Sequence, residues 1–170
     1  MTTVVLTAIG DDRPGLVESL AGLISEHGGS WNRSEMARLG GKFAGIVEAT
    51  LPDEAIDSMQ AGLEALAAKG LHTTLSVTDI ADEPAGARVF LSMVGTDQPG
   101  LVHAVASALA AIGASIEELG TAISEAPMAG GTMFEATAVV VLPDGVSLHD
   151  VRDRLEALAS HLMVDIDIEG

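Results

Sequence analysis

One stretch of sequence occurs twice in the chain, as Gly10-Asp11-Asp12-Arg13-Pro14-Gly15-Leu16-Val17 and as Gly95-Thr96-Asp97-Gln98-Pro99-Gly100-Leu101-Val102. The same spacing separates Gly28 from Gly113 and Ser30 from Ser115. A longer spacing separates the similar stretches 63–67 and 155–159, so the second copy carries an insertion, most of it within 124–131. Self-similarity on this scale predicts two domains of the same fold.

The order of apolar patterns predicts the same elements in each copy. Residues 4–9 and 89–93 are apolar almost throughout, which predicts a strand buried on both faces. The Asp-x-Pro-Gly turn that follows predicts a helix beginning at the proline, and Gly28 or Gly113 predicts its left-handed end. Two further strands then form a hairpin, which turns at Gly40-Gly41 in the first copy. A second helix and a closing strand complete each copy.

The predicted fold is therefore α+β, with two tandem ferredoxin-like (βαββαβ) domains that have antiparallel sheets. The first domain is expected at residues 1–79 and the second at residues 88–170. Residues 80–87 contain acidic side chains together with Pro84 and Gly86, a composition that predicts a short linker. This division accounts for nearly the whole chain, so we expect no separate catalytic or DNA-binding domain.

The composition excludes several classes of function. The chain has 170 residues, of which 25 are acidic and 8 basic, and its formal charge is −17. A face rich in Lys and Arg is therefore hard to build, and we expect no direct contact with nucleic acid. The chain has no cysteine, which rules out disulfides and thiolate chemistry. It has no membrane-length apolar run and no basic segment typical of a signal peptide, so we expect a cytoplasmic protein without membrane contact.

The repeated turn is the strongest indication of a binding site. We call residues 11–16 the first corner and residues 96–101 the second corner. The amides at a helix N-terminus favour an anion such as a carboxylate. Asp12 and Asp97 have two possible roles: they cap the helix, or they receive the ammonium group of an amino acid whose carboxylate lies on the amides. Gly15 and Gly100 allow either close approach of a ligand or close packing of helix on sheet.

A βαββαβ unit with Asp-x-Pro-Gly-Leu before its first helix resembles the ACT domain, a small regulatory module that binds amino acids. Two such units without an attached enzyme resemble the glycine cleavage system transcriptional repressor group in particular, over residues 2–168. In amino-acid-binding ACT domains the ligand typically sits between two domains, held by the corner and by the start of the second strand. The resemblance therefore implies the following ligand-binding residues: Asp11, Asp12, Gly15, Leu16, Ser30, Asn32, Thr96, Asp97, Gly100, Leu101 and Ser115, with Glu117 at the position that matches Asn32.

The function implied by the resemblance is regulatory and non-enzymatic. We expect the protein to bind a small amino acid of the glycine or serine class and to control a protein partner, as in transcriptional regulation of glycine cleavage through protein contacts. The alternative is a regulatory subunit of an amino-acid biosynthetic enzyme.

A small enzyme on the same scaffold is a third possibility. It would need convergent acid and base residues, and the sequence has neither a nucleophile elbow nor zinc-type spacing. His149, Asp150 and Asp153 are typical of a solvated helix face, so we expect no metal and no cofactor.

The sheets also predict an interface. Helices cover only one side of each four-stranded sheet, and the other side must pack against something. Candidates for that surface are Phe43, Ile46, Val139 and Val141. Packing of one copy on the other, or joining with a second chain, would cover it, and we expect a homodimer.

Overall fold

The computed structural model describes residues 1–78, 86–126 and 130–170, and the chain divides into two compact units, Met1–Ala81 and Asp82–Gly170. The elements of the first unit are β1 (Thr2–Asp11), α1 (Leu16–Glu26), β2 (Ser30–Leu39), β3 (Lys42–Leu51), α2 (Ile56–Ala68) and β4 (Leu71–Val77). Those of the second are β5 (Ala87–Thr96), α3 (Leu101–Ala110), β6 (Ser115–Glu125), β7 (Thr132–Leu142), α4 (Leu148–Leu162) and β8 (Val164–Glu169). The expected linker falls mostly on residues 80–85, which lie outside the described residues, as do 127–129 of the expected insertion.

Each unit contains one antiparallel sheet of four strands. The strand order is β2-β3-β1-β4 in the first unit and β6-β7-β5-β8 in the second. The first strand of each unit is therefore central, and the hairpin of the second and third strands lies to one side of it. This arrangement confirms the predicted pair of ferredoxin-like α+β domains with antiparallel sheets.

Both hairpins carry a β-bulge at the same place. The pairing register shifts between Trp31 and Arg33 in β2, and between Ile116 and Glu118 in β6. Asn32 and Glu117 are thus the extra residues of their strands. A bulge of this kind moves every later residue of the strand by one position relative to its partner.

The hydrophobic core of each unit lies between the helices and one face of the sheet. Val4, Leu6 and Ala8 of β1 are buried there, whereas Ile9 on the opposite face is exposed. Val89, Leu91 and Met93 of β5 are likewise buried, but Phe90 is 62% exposed. The prediction that these strands are buried on both faces is therefore wrong, because both helices of a unit cover the same face of its sheet.

The predicted outer-face residues do not all lie on an open surface. Ile46 is 52% exposed and Val139 is half-buried. Phe43 packs against the first core instead, which corrects its assignment. Val141 is buried on the outer side.

The position of Val141 coincides with an ion pair that crosses its strand. Arg88 of β5 donates to Glu117 of β6 through Nε at 2.7 Å and Nη2 at 2.9 Å. The two residues lie on strands that are both neighbours of β7, so the guanidinium and the carboxylate meet across β7. Arg88 pairs directly opposite Val141 in the sheet register, so its side chain passes over that position.

Candidate functional site

The two corners have the same backbone geometry. Gly15 precedes α1 with φ 91° and ψ 3°, and Gly100 precedes α3 with φ 91° and ψ 2°. Neither helix has a hydrogen bond from a capping side chain at its start. The first amides of a helix have no partner within the helix, so each corner presents N–H groups at the positive end of a helix dipole.

This geometry corrects the predicted start of the helices and excludes one of the two roles considered for the aspartates and one of the two considered for the glycines. The helices begin at Leu16 and Leu101, two residues after the proline, because a left-handed glycine intervenes. Asp12 and Asp97 do not cap the helices. Helix–sheet packing does not explain the glycines either. A Cβ at Gly15 would meet only Glu18 Oε2, at 3.8 Å, and a Cβ at Gly100 would meet nothing within 4 Å. What both positions require is a positive φ, which L-residues with a side chain rarely adopt.

Each corner is tied to the hairpin and to the second helix of its unit. The Asp12 amide donates to the Gly41 carbonyl at 3.0 Å, and the Asp97 amide donates to the Thr132 carbonyl at 2.9 Å. The residue after each aspartate makes the second connection.

In the first corner this second connection is made by Arg13, whose guanidinium donates to the Lys69 carbonyl just beyond α2. In the second corner Gln98 Nε2 donates to the carbonyl of Leu162, the last residue of α4, at 2.7 Å. Sequence reasoning missed Arg13 and Gln98. The one available signal was that the variable residue between Asp and Pro of the motif can donate a hydrogen bond in both copies.

Basic side chains surround the first corner. Arg38 Nε lies 2.8 Å from Asp12 Oδ2, and Lys42 forms an ion pair with Asp11. The hydrogen bond from Lys42, with its positive charge, holds the pKa of the Asp11 carboxyl below its ordinary value. A depression of about 420 Å³ opens beside the start of α1, and Arg13 and Lys69 both line it.

The second corner is not surrounded by basic side chains in this way. Asp97 is half-buried, and none of the described residues forms an ion pair or hydrogen bond with its carboxylate. Ile123 of β6 lies opposite Phe134, as Arg38 of β2 lies opposite Phe43. An apolar side chain thus stands where the first domain has its guanidinium.

The remaining corner residues offer different groups. Thr96 ends β5 and is exposed at the surface. Leu16 and Leu101 are buried in the two cores. A ligand at either corner could therefore reach the backbone amides of these leucines but not their side chains.

The predicted residues of the second strand lie far from the corner of the same domain. Ser30 pairs with Thr50, and Thr50 pairs with Thr3 near the start of β1, whereas the first corner follows the end of β1. Eight residue steps along a strand separate these ends by roughly 26 Å. The same register places Ser115 opposite Val141, which pairs with Arg88 near the start of β5. Within one domain, the two predicted groups cannot contact the same small ligand.

The bulge residues already have hydrogen-bond partners at that end. Asn32 Nδ2 donates to Thr50 Oγ1 at 2.8 Å and to Glu48 Oε1 at 3.4 Å. Glu117 accepts from Arg88. The two residues occupy matching positions in the two sheets but differ in charge and in partner.

Metal sites and membrane-spanning helices are both absent from residues 1–78, 86–126 and 130–170. This part of the chain has no cluster of three or more His, Asp or Glu side chains arranged to hold a metal ion. It also has no helix that combines the length and the apolar character needed to cross a membrane.

Comparison with known proteins places the fold in a family. The family model of the ACT domain matches residues 2–76 and again residues 87–169. The crystal structure of an unknown protein from Galdieria sulphuraria is 32% identical, with a TM-score of 0.87 over 99% of this chain and 97% of that one. A candidate glycine cleavage system transcriptional repressor is 20% identical, with a TM-score of 0.72 over 99% of this chain and 96% of that one. No curated protein matches the chain. Because the two tandem matches span most of its residues, the chain belongs to the ACT domain family.

Proposed function

We propose that this protein is a non-enzymatic regulator that binds a small amino acid of the glycine or serine class and thereby controls a protein partner. Membership of the ACT family supports the coarser part of this proposal, a regulatory role with amino-acid binding. The likeness to the candidate glycine cleavage repressor is a likeness of fold, and it makes control of glycine cleavage the first case to test. The proposed role needs neither a metal nor a cofactor.

The repeated corner is the observation that carries the proposal. Each corner combines unpaired helix amides with an aspartate that does not cap the helix. The amides suit a carboxylate and the aspartate suits an ammonium group. An α-amino acid carries these two charged groups on one carbon atom. Ser30, Asn32 and Ser115 stay predicted ligand residues, although within one domain they lie too far from the corner to contact the same small ligand.

A thermal-shift screen tests the ligand. Binding to the folded state alone stabilises it by about 2.7 kcal/mol at a ligand concentration of about 100 Kd. We expect glycine or L-serine to raise the melting temperature. Glycinamide lacks the carboxylate and N-acetylglycine lacks the ammonium group, so neither analogue should reproduce the shift. Amino-acid sensing would be refuted if all four compounds raised the melting temperature equally, or if no common amino acid raised it.

Control of transcription would act through a DNA-binding partner. The excess of acidic residues, with a formal charge of −17, disfavours direct contact with phosphates. In a gel-shift assay at physiological salt we expect the purified protein alone to leave DNA unshifted, and a shift would contradict this part of the proposal. Affinity capture from cells that contain the tagged protein separates the two kinds of partner: a transcription regulator supports the first proposal, and a biosynthetic enzyme supports the alternative. A cytoplasmic location suits both.

A homodimer would cover apolar side chains on the outer faces of the sheets. Ile9 and Ile46 in the first unit and Phe90 in the second are large and exposed there. Apolar surface of this kind is typical of protein interfaces. We expect sedimentation equilibrium to give twice the chain mass of 17.3 kDa, and Phe90→Ser to weaken the association. A monomer at all concentrations would contradict the proposed dimer.

A further inference from the structure

The two corners share a backbone but differ in the charges around their aspartates. The first corner has four cations close to it: Arg13, Arg38, Lys42 and Lys69. Three acidic residues, Asp11, Asp12 and Glu18, lie among these cations, so the cations outnumber them by one. An incoming ammonium group therefore meets a locally positive surface at the first corner.

Arg38 is the cation that reaches the aspartate itself. Its Nε is 2.8 Å from Asp12 Oδ2, so the two side chains form an ion pair. The Asp12 side chain is 28% exposed and that of Arg38 is 71% exposed. An exposed ion pair is weak in isolation, but here the guanidinium is carried by β2 of the same sheet, so its effective concentration at Asp12 is far above that of a free metabolite.

The second domain has uncharged side chains at the corresponding places. In the sheet register, Ile123 occupies the position that matches Arg38. Met133 lies opposite Thr96, just as Lys42 lies opposite Asp11, so Met133 matches Lys42. The corner motif matches Gln98 with Arg13. Asp97 thus keeps a half-buried carboxylate with no partner among the described residues.

We propose that Arg38 blocks the first corner: its guanidinium binds Asp12 in the place where a ligand ammonium group would bind. Each chain therefore binds one amino acid, at the second corner. This inference rests on the proposed function and makes residue 38 and its counterpart, residue 123, the determinants of which domain responds. The first domain then keeps the ligand-free conformation of its corner at metabolite concentrations that fill the second.

Reciprocal substitutions test this inference by isothermal titration calorimetry with glycine and with L-serine. The wild-type protein should bind one equivalent per chain. Ile123→Arg places a guanidinium opposite Phe134, and we expect it to weaken binding at least about tenfold, the loss that a blocked charge-assisted hydrogen bond produces. Ile123→Gln is the matched control, long and polar but uncharged, and should bind as the wild type does. Position 123 is 62% exposed, so these variants should fold.

The converse variant makes the first corner resemble the second. Arg38→Ile combined with Lys42→Met should raise the stoichiometry to two equivalents per chain. Two equivalent sites in the wild type, or unchanged affinity in Ile123→Arg, would overturn the role of Arg38 and leave amino-acid binding intact. A wild-type protein that binds neither glycine, L-serine nor any other common amino acid would instead overturn the proposed function, and the role of Arg38 with it.

Discussion

The left-handed glycine at the first corner gives a test of stability in which two similar substitutions should act in opposite directions. Gly15 has φ 91°, and an added Cβ would meet only the end of the Glu18 side chain. Gly15→Ala therefore introduces backbone strain without a steric clash. The left-handed conformation costs a residue with a Cβ about 1–2 kcal/mol, and we expect the first domain to lose stability by that amount.

Gly22, within α1, is the matched control. Its φ is not in the left-handed region, and an added Cβ would meet nothing within 4 Å. Alanine is favoured over glycine by about 1 kcal/mol in the interior of a helix, so Gly22→Ala should stabilise the same domain. The two variants should then differ by about 2–3 kcal/mol, although each adds one methyl group to a residue of α1 or its cap.

Trp31 provides the assay. It is the one tryptophan of the chain, and it packs against the core of the first unit, so its fluorescence reports unfolding of that unit. A change of 1 kcal/mol in the free energy of unfolding moves the midpoint of thermal unfolding of a domain of this size by about 4–8 °C. The midpoint should fall for Gly15→Ala and rise for Gly22→Ala. Equal stability of Gly15→Ala and wild type, or shifts of the same sign, would show that the corner does not need its glycine for a positive φ.

Three further substitutions test the packing and the caps. Leu20→Ala should destabilise the first unit by about 2–5 kcal/mol in urea unfolding, because it leaves a cavity at a fully buried position; a smaller loss would mean that the core collapses around it. Gly45→Ala should cost about 3 kcal/mol, since its Cβ would lie 2.2 Å from the Glu35 carbonyl oxygen, and wild-type stability would contradict that close approach. Ser147→Ala should cost the second unit about 1 kcal/mol in urea unfolding followed by circular dichroism, because the capping box with Asp150 is lost.

The Ser147 variant also has an expected pH dependence. Hydrogen bonds from the Ser147 hydroxyl and then from its backbone N–H lower the pKa of Asp150 from its ordinary value of 3.8. A carboxylate with a lowered folded-state pKa stabilises the fold above its unfolded-state pKa, and this contribution is lost as the pH falls through the folded-state value. The gap in stability between wild type and Ser147→Ala should therefore narrow below about pH 4. A gap that stays constant there would show that the carboxylate takes no part in the cap.

Local patterns were enough to predict most of the fold. The repeat, the alternating strands and the Gly40-Gly41 turn are all local in sequence, and both glycines have the positive φ expected of that turn. Gly28 and Gly113 also have positive φ at the predicted ends of α1 and α3. The prediction that the strands are buried on both faces was wrong, because the sequence pattern of an apolar residue such as Phe90 is the same whether or not a helix covers it.

The site was predicted less completely, for reasons of distance along the chain. The corner motif is contiguous, so its position at the start of a helix could be inferred. The pairing of Asp12 with Arg38 depends on the register of a hairpin, and the contact of Gln98 with Leu162 joins the two ends of the second domain. The sequence also did not show that Ser30 and the first corner lie at opposite ends of one sheet.

The bulge at Asn32 has a consequence at the far end of its strand. Side chains alternate between the two faces of a sheet, so one extra residue reverses the parity of everything that follows it. If Asn32 took an ordinary place in the pairing, Arg38 would point away from the helices and Asp12 would lose its guanidinium. The single residue inserted at one end of β2 thus determines which charge reaches the aspartate at the other.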